Sequence, residues 1–211
     1  MTACTERHPA EAADGVEGVG LSPPITLLNV PNAITAVRTA GSVGLAVAAL
    51  SHRSARLLVA AYLIYWIGDI LDGAAARALG QETRTGAVFD IVADRSCTSA
   101  CAAALVVLRP ATALPIAVFL VQFMVVDQLL SLMFLRWPLL GPNYFARVDR
   151  RIYRWNWSPP AKALNTAAVV ILAVCAPPPA AVVFALGVAV VKVVSLVSAA
   201  KLPAALGPSQ A

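Results

Sequence analysis

Five of the eleven acidic residues, Asp69, Asp72, Asp90, Asp94 and Asp127, fall inside long apolar runs. An ionisable group buried in such a run is costly and marks a functional site. Four of them form two pairs with helical spacing. Asp69 and Asp72 stand three apart, with Gly73 four from Asp69 and Arg77 one turn further. Gly86, Asp90 and Asp94 stand four apart and share one helix face. A short turn between the two runs makes them antiparallel neighbours. The pairs then face each other roughly 6–15 Å in from the helix ends, from the helical rise. Four converging carboxylates in a low-dielectric site cannot all stay ionised without cations. Oxygen ligands in that number suit hard divalent ions, Mg²⁺ or Mn²⁺, and two such ions suit phosphoryl chemistry. Arg77 would suit a phosphate oxygen. Gly73 and Gly86 clear space where a ligand approaches the backbone.

The elements that must position these groups are membrane helices. The chain is 59% hydrophobic and 13% charged, with mean hydropathy +0.76, far more apolar than a soluble domain of 211 residues. Spanning hydrocarbon takes about 20 apolar residues as helix. Six stretches fit or nearly fit: 33–51, 56–79, 86–108, 112–135, 162–177 and 179–200. The expected fold is an all-α bundle of six transmembrane helices occupying residues 21–205. It is preceded by an acidic, disordered cytoplasmic tail (1–20), which lacks the apolar core of a signal peptide, and followed by a short tail (206–211). The proline-bounded apolar stretch 21–31 reads as an interfacial segment.

Basic residues crowd the connection between the fourth and fifth stretches (Arg136, Arg147, Arg150, Arg151, Arg154) and flank that between the second and third (Arg77, Arg84). The positive-inside rule puts both connections and both termini in the cytoplasm, although Arg53 and Arg56 run against it. The net charge of +5 is spread without a Lys/Arg-rich run, so nucleic-acid binding is not expected. The aromatic and basic residues of the fourth connection fit a headgroup-level segment. Ala36, Ala40, Gly44 and Ala48 form a small-residue stripe suited to internal helix packing or to a dimer, internal packing being favoured. Cys97 and Cys101 read as packing residues.

Asp69-x2-Asp72-Gly73-x2-Ala76-Arg77-x8-Gly86-x3-Asp90-x3-Asp94 resembles the signature of the CDP-alcohol phosphotransferase family at every fixed position and at both spacings. Asn29-Val-Pro-Asn32-Ala-Ile-Thr35-Ala-Val-Arg38 is similar to the start of the phosphatidylglycerophosphate synthase and cardiolipin synthase branches. The resemblance implies an enzyme of the inner or plasma membrane, often a homodimer, with its site facing the cytoplasm. Such enzymes move a substituted phosphoryl group from a CDP-linked lipid such as CDP-diacylglycerol to a small or lipid alcohol, and release CMP. It also implies that Asp69, Asp72 and Asp90, with Asp94 nearby, hold two divalent cations. Asp94 would be the general base. Gly73, Ala76, Arg77 and Gly86 would contact the CDP moiety together with Asp69, Asn32 and Thr35.

A phosphorylated acceptor needs further cations. Lys192, deep in the sixth stretch, is the first candidate, although it could equally snorkel to the interface. Lys162, Arg147 and Arg150 rank behind it. Glycerol 3-phosphate is the expected acceptor, ahead of phosphatidylglycerol and inositol phosphate. Asp127 reads as the partner of Lys192 or another cation, or as a substrate contact. Two rival readings stand beside the transferase: a divalent-cation transporter, and a scaffold whose acids only pair with Arg77, Arg95, Lys162 or Lys192. The first is disfavoured because no internal repeat is evident and the cluster lies near one face.

Overall fold

The computed structural model describes residues 28–204. The acidic tail, residues 21–27 of the expected interfacial segment and the C-terminal tail from 206 lie outside the described residues. The architecture is an all-α membrane bundle. Its helices are α1 (Val30–His52), α2 (Ala55–Ala78), α3 (Arg84–Leu108), α4 (Pro110–Arg136), α5 (Arg150–Asn156), α6 (Pro159–Cys175) and α7 (Pro178–Lys201). Five of these are long and apolar enough to cross a membrane. The short α5 and α6, bent by 43° at their junction, make the sixth candidate span. The bundle is apolar outside as well as inside. Ile70, Val121 and Val183 are exposed on its rim, as lipid-facing positions require.

Local chemistry sets the ends of the helices around the site. Asn29 caps α1 by accepting from the Asn32 amide, and Thr83 caps α3 by accepting from the Gly86 amide. Between α2 and α3 the chain reverses through Gly80, whose φ of +62° is open to glycine without strain. Two helices carry a wider, π-type turn: α4 at Gln122–Asp127 and α6 at Ala163–Ala167. Such turns re-aim consecutive side chains. In α4 they bring Gln122, Phe123 and Asp127 into the interior.

Among the described residues the core has three clusters, two of which set the frame of the site. One, built on Ala46, Ala49, Leu58, Ala61, Cys101 and Leu105, ties α1, α2 and α3 together away from the site. Cys97 and Cys101 are buried, free thiols, as packing residues should be. The other core anchors the connection between α4 and α5. Phe145 packs between Trp137 and Trp157, with ring centroids 5.3 and 4.9 Å away. That connection is therefore only partly a surface segment. Trp155 is exposed and Arg151 lies over its ring, but Trp137, Phe145 and Trp157 are buried. Arg136 points to the last carbonyls of α7, at Ala199, Ala200 and Leu202, where a cation complements the helix end.

The small-residue stripe on α1 does not face inward. Ala36, Ala40 and Gly44 are exposed, and the buried face of α1 is Asn32, Thr35, Arg38, Ser42, Ala46 and Ala49. Close packing of α1 on α2 comes from Gly68 instead. A Cβ there would lie 2.5 Å from Cβ and 2.6 Å from Cδ of Arg38.

Gly68→Ala is expected to force α1 from α2 and to cost about 1–3 kcal/mol by overpacking. Gly187→Ala, with nothing within 4 Å of the added Cβ, should be neutral or slightly stabilising. Thermal denaturation in detergent compares the two; equal melting temperatures would refute a tight seam at Gly68.

Candidate active site

The two acid pairs do converge. Asp69, Asp72 and Asp90 each offer an oxygen, and the three oxygens lie within 4.8 Å of one another. That grouping fits a hard divalent ion. Asp94 lies one turn further along α3, outside the triple. It joins the cluster through a shared cation, Arg38 of α1.

Arg38 is the residue that sequence reasoning passed over. Its side chain is 2% exposed and reaches all four carboxylates. Nε donates to Asp72 Oδ2 at 2.7 Å. Nη2 donates to Asp90 at 2.5 Å and to Asp94 at 3.1 Å, and lies 3.5 Å from Asp69. Thr35, one turn earlier on α1, donates from its hydroxyl to the same Asp72 oxygen at 2.7 Å. Two donors on Oδ2 orient the Asp72 carboxylate and leave its other oxygen for a ligand. One guanidinium against four carboxylates leaves an acidic surplus, so the donor set calls for further positive charge.

The acids open on a cavity of about 900 Å³. Its lining includes Gly73, Ala76, Arg77, Gly86, Asn32 and Thr35. The structure thus gathers every residue expected to contact CDP, although the Thr35 hydroxyl is already engaged on Asp72. Gly86 is needed where it stands. A Cβ would meet the Thr83 hydroxyl at 2.9 Å and the Asn32 carboxamide at 3.1 Å. At Gly73 an added Cβ would meet the Arg77 guanidinium at 3.3 Å, so the glycine lets that side chain fold back. At the mouth, Tyr144 donates to Glu82 at 2.7 Å and ties the α4–α5 connection to the α2–α3 turn. The accepting carboxylate holds the Tyr144 phenol above its usual pKa.

The expected acceptor cations divide. Lys162 and Lys192 line the cavity. Arg147 and Arg150 are not among its lining residues: both are exposed, and Arg147 lies 5.0 Å over the Tyr144 ring. Lys192 does not snorkel. It is buried, and its Nζ lies 2.5 Å from Asp127 Oδ1. Asp127 also accepts from Arg95 at 2.6 Å, which bears out the reading of Asp127 as a partner for cations.

Residues 28–199 match the family profile described as CDP-alcohol phosphatidyltransferase. The chain belongs to the CDP-alcohol phosphatidyltransferase family. No curated protein and no solved structure matched it. The family match spans all the helices that build the cavity, from α1 to α7. A membrane enzyme that transfers a phosphatidyl group from a CDP-alcohol is therefore the frame for this site. The finer assignments rest on its own residues.

Arg38→Met would leave the acids without their buried counter-charge. It is expected to destabilise the metal-free protein by about 3 kcal/mol. The gap to wild type should narrow as Mg²⁺ or Mn²⁺ is added. A melting-temperature titration checks this, and parallel curves for the two proteins would contradict the role.

Proposed function

We propose that the protein transfers the phosphatidyl group of CDP-diacylglycerol to a small phosphorylated alcohol, glycerol 3-phosphate being the first choice, and releases CMP. The observation that carries this reading is the convergence of Asp69, Asp72, Asp90 and Asp94 on one cavity that Arg77 and two lysines also line. Asp69, Asp72 and Asp90 would hold divalent ions, Mg²⁺ or Mn²⁺. Ions bound there supply charge neutralisation for the diphosphate and for the departing CMP.

The rest follows from this chain's own groups. Gly73, Ala76 and Gly86 give the nucleotide close access to helix backbone, and Arg77 supplies a planar donor pair for a phosphate oxygen. Asp94, on the same helix face as Asp90 but one turn further along α3, would take the proton of the acceptor hydroxyl as its oxygen attacks phosphorus. The bond that forms joins that oxygen to the lipid-bearing phosphorus. The bond that breaks frees CMP. Thr35 and Arg38 hold Asp72 in orientation throughout.

Arg136, Arg147, Arg150 and Arg151 support a cytoplasmic mouth, from which CDP enters while the acyl chains stay in the bilayer. A homodimer in the inner or plasma membrane belongs to the same reading. The outward stripe of Ala36, Ala40 and Gly44 would allow close approach of a second helix.

Purified protein with CDP-diacylglycerol, Mg²⁺ or Mn²⁺ and glycerol 3-phosphate is expected to liberate CMP. Asp94→Asn should slow release about 100-fold or more, and chelation of divalent ions should stop it. A panel with phosphatidylglycerol, inositol phosphate and serine ranks the acceptors. Failure of the whole panel, or a wild-type rate in Asp94→Asn and Asp90→Ala, would refute the assignment.

A further inference from the structure

The cavity carries a second buried polar cluster, which the acid centre does not use. It gathers where α4 widens at Gln122–Asp127. Asp127 holds two cations, Arg95 Nη2 at 2.6 Å and Lys192 Nζ at 2.5 Å, one on each carboxylate oxygen. Arg95 also donates from Nε to Gln128 at 2.9 Å and lies 3.6 Å over the Phe123 ring, so its guanidinium is fixed. Two cations against one acid leave a surplus positive charge. A pair meant only to join helices would need a single cation, and burying a second without an anion is costly.

Two carboxamides complete the cluster. Gln122 is 3% exposed, and neither its Nε2 nor its Oε1 has a partner among the described residues. Asn156 is 2% exposed. Its Nδ2 donates to the Ile152 carbonyl and to the Ser195 hydroxyl, but its Oδ1 has no donor among the described residues. Buried amide groups left unmade are expensive, and in native proteins they mark a place where a ligand or ordered water completes them. Gln122, Asn156, Arg95, Asp127 and Lys192 all line the cavity that holds the acids. Arg95 follows Asp94 directly in α3, so the two clusters adjoin.

We propose that Gln122, Asn156 and the Arg95–Asp127–Lys192 triad form the acceptor subsite, and that it takes a phosphorylated polyol. This inference rests on the transferase reading for the word acceptor; the binding chemistry stands on the residues. The surplus charge of the triad receives the phosphate. Two carbonyl oxygens without donors and an NH₂ without an acceptor match neighbouring hydroxyls, each of which can donate and accept. A zwitterionic amino acid brings no phosphate for the triad, and a bare phosphate brings no row of neighbouring hydroxyls to span both carboxamides. The same chemistry occurs in a soluble polyol phosphate and in the headgroup of phosphatidylglycerol, so the test keeps the two sources apart.

The experiment measures binding to the full-length protein in phosphatidylcholine nanodiscs with Mg²⁺ and no CDP-lipid. The soluble arm uses glycerol 3-phosphate and inositol phosphate, and the lipid arm places phosphatidylglycerol in the disc. Glycerol, inorganic phosphate and serine are the comparators. At least one phosphorylated polyol should bind more tightly than all three comparators. Gln122→Leu and Lys192→Met should each weaken that binding about tenfold or more, with CDP affinity kept. Gln122→Leu should also melt at or above the wild-type temperature, since it removes an unpartnered buried amide. Absence of binding by every phosphorylated polyol, equal binding of phosphate or serine, or unchanged affinity in Gln122→Leu overturns the proposal. CMP release then separates the two readings. Release with unaltered acceptor affinity in Gln122→Leu removes the subsite and keeps the transferase. Gln122-dependent binding without release in any condition removes the transferase and keeps the subsite.

Discussion

Four carboxylates from two antiparallel helices share one guanidinium, and the geometry of the site depends on that sharing. Like charges at this spacing in an apolar bundle repel strongly, and they hold together only around positive charge. Arg38 provides it from a third helix. Its path to the acids requires Gly68, because any side chain there would occupy the space of the Arg38 stem. The acids in turn stand at matched depth because a short turn through Gly80 reverses the chain between α2 and α3. Packing, turn and charge are thus parts of one constraint.

Much of this was legible in the sequence. Hydropathy placed the spans to within a few residues, since a membrane helix must be apolar over its whole length. The acids stood out against that background, and their spacing put each pair on one face. What one sequence does not contain is which helix lies across from which. Arg77, Arg95, Lys162 and Lys192 are the partners the sequence suggests for the acids, whereas the cation that pairs with all four is Arg38. A signal was present. Asn32, Thr35, Arg38 and Ser42 form a polar stripe at helical spacing in an otherwise apolar segment, and an arginine there is as costly as an aspartate. The rule applied to the acids would have found it.

The small-residue stripe shows the converse error. Small residues permit close packing but do not say against what. The polar stripe claims the inward face of α1, so Ala36, Ala40 and Gly44 must point away from the bundle. The basic connection adds a related point. Its composition suits a membrane surface, and its arginines stay outside, but Trp137, Phe145 and Trp157 are buried, Phe145 packing against both tryptophans. Arg147 and Arg150 are exposed and outside the cavity lining, whereas Lys162 and Lys192, on helices that wall it, are part of that lining.

Arg38 lies on the helix that precedes both acid-bearing helices in the chain. This order bears on how the protein enters the membrane. An aspartate costs up to about 2.5–3.5 kcal/mol at the centre of an inserting helix and less towards its end, so a segment carrying Asp69 and Asp72 inserts alone only at a penalty. With α1 already in place, α2 meets its compensating charge as it arrives, and α3 then adds Asp90 and Asp94 to a pair that is already partly neutralised. The chain brings in its cation before its anions, and so each acidic helix can leave the insertion machinery for a bilayer in which its partner is waiting.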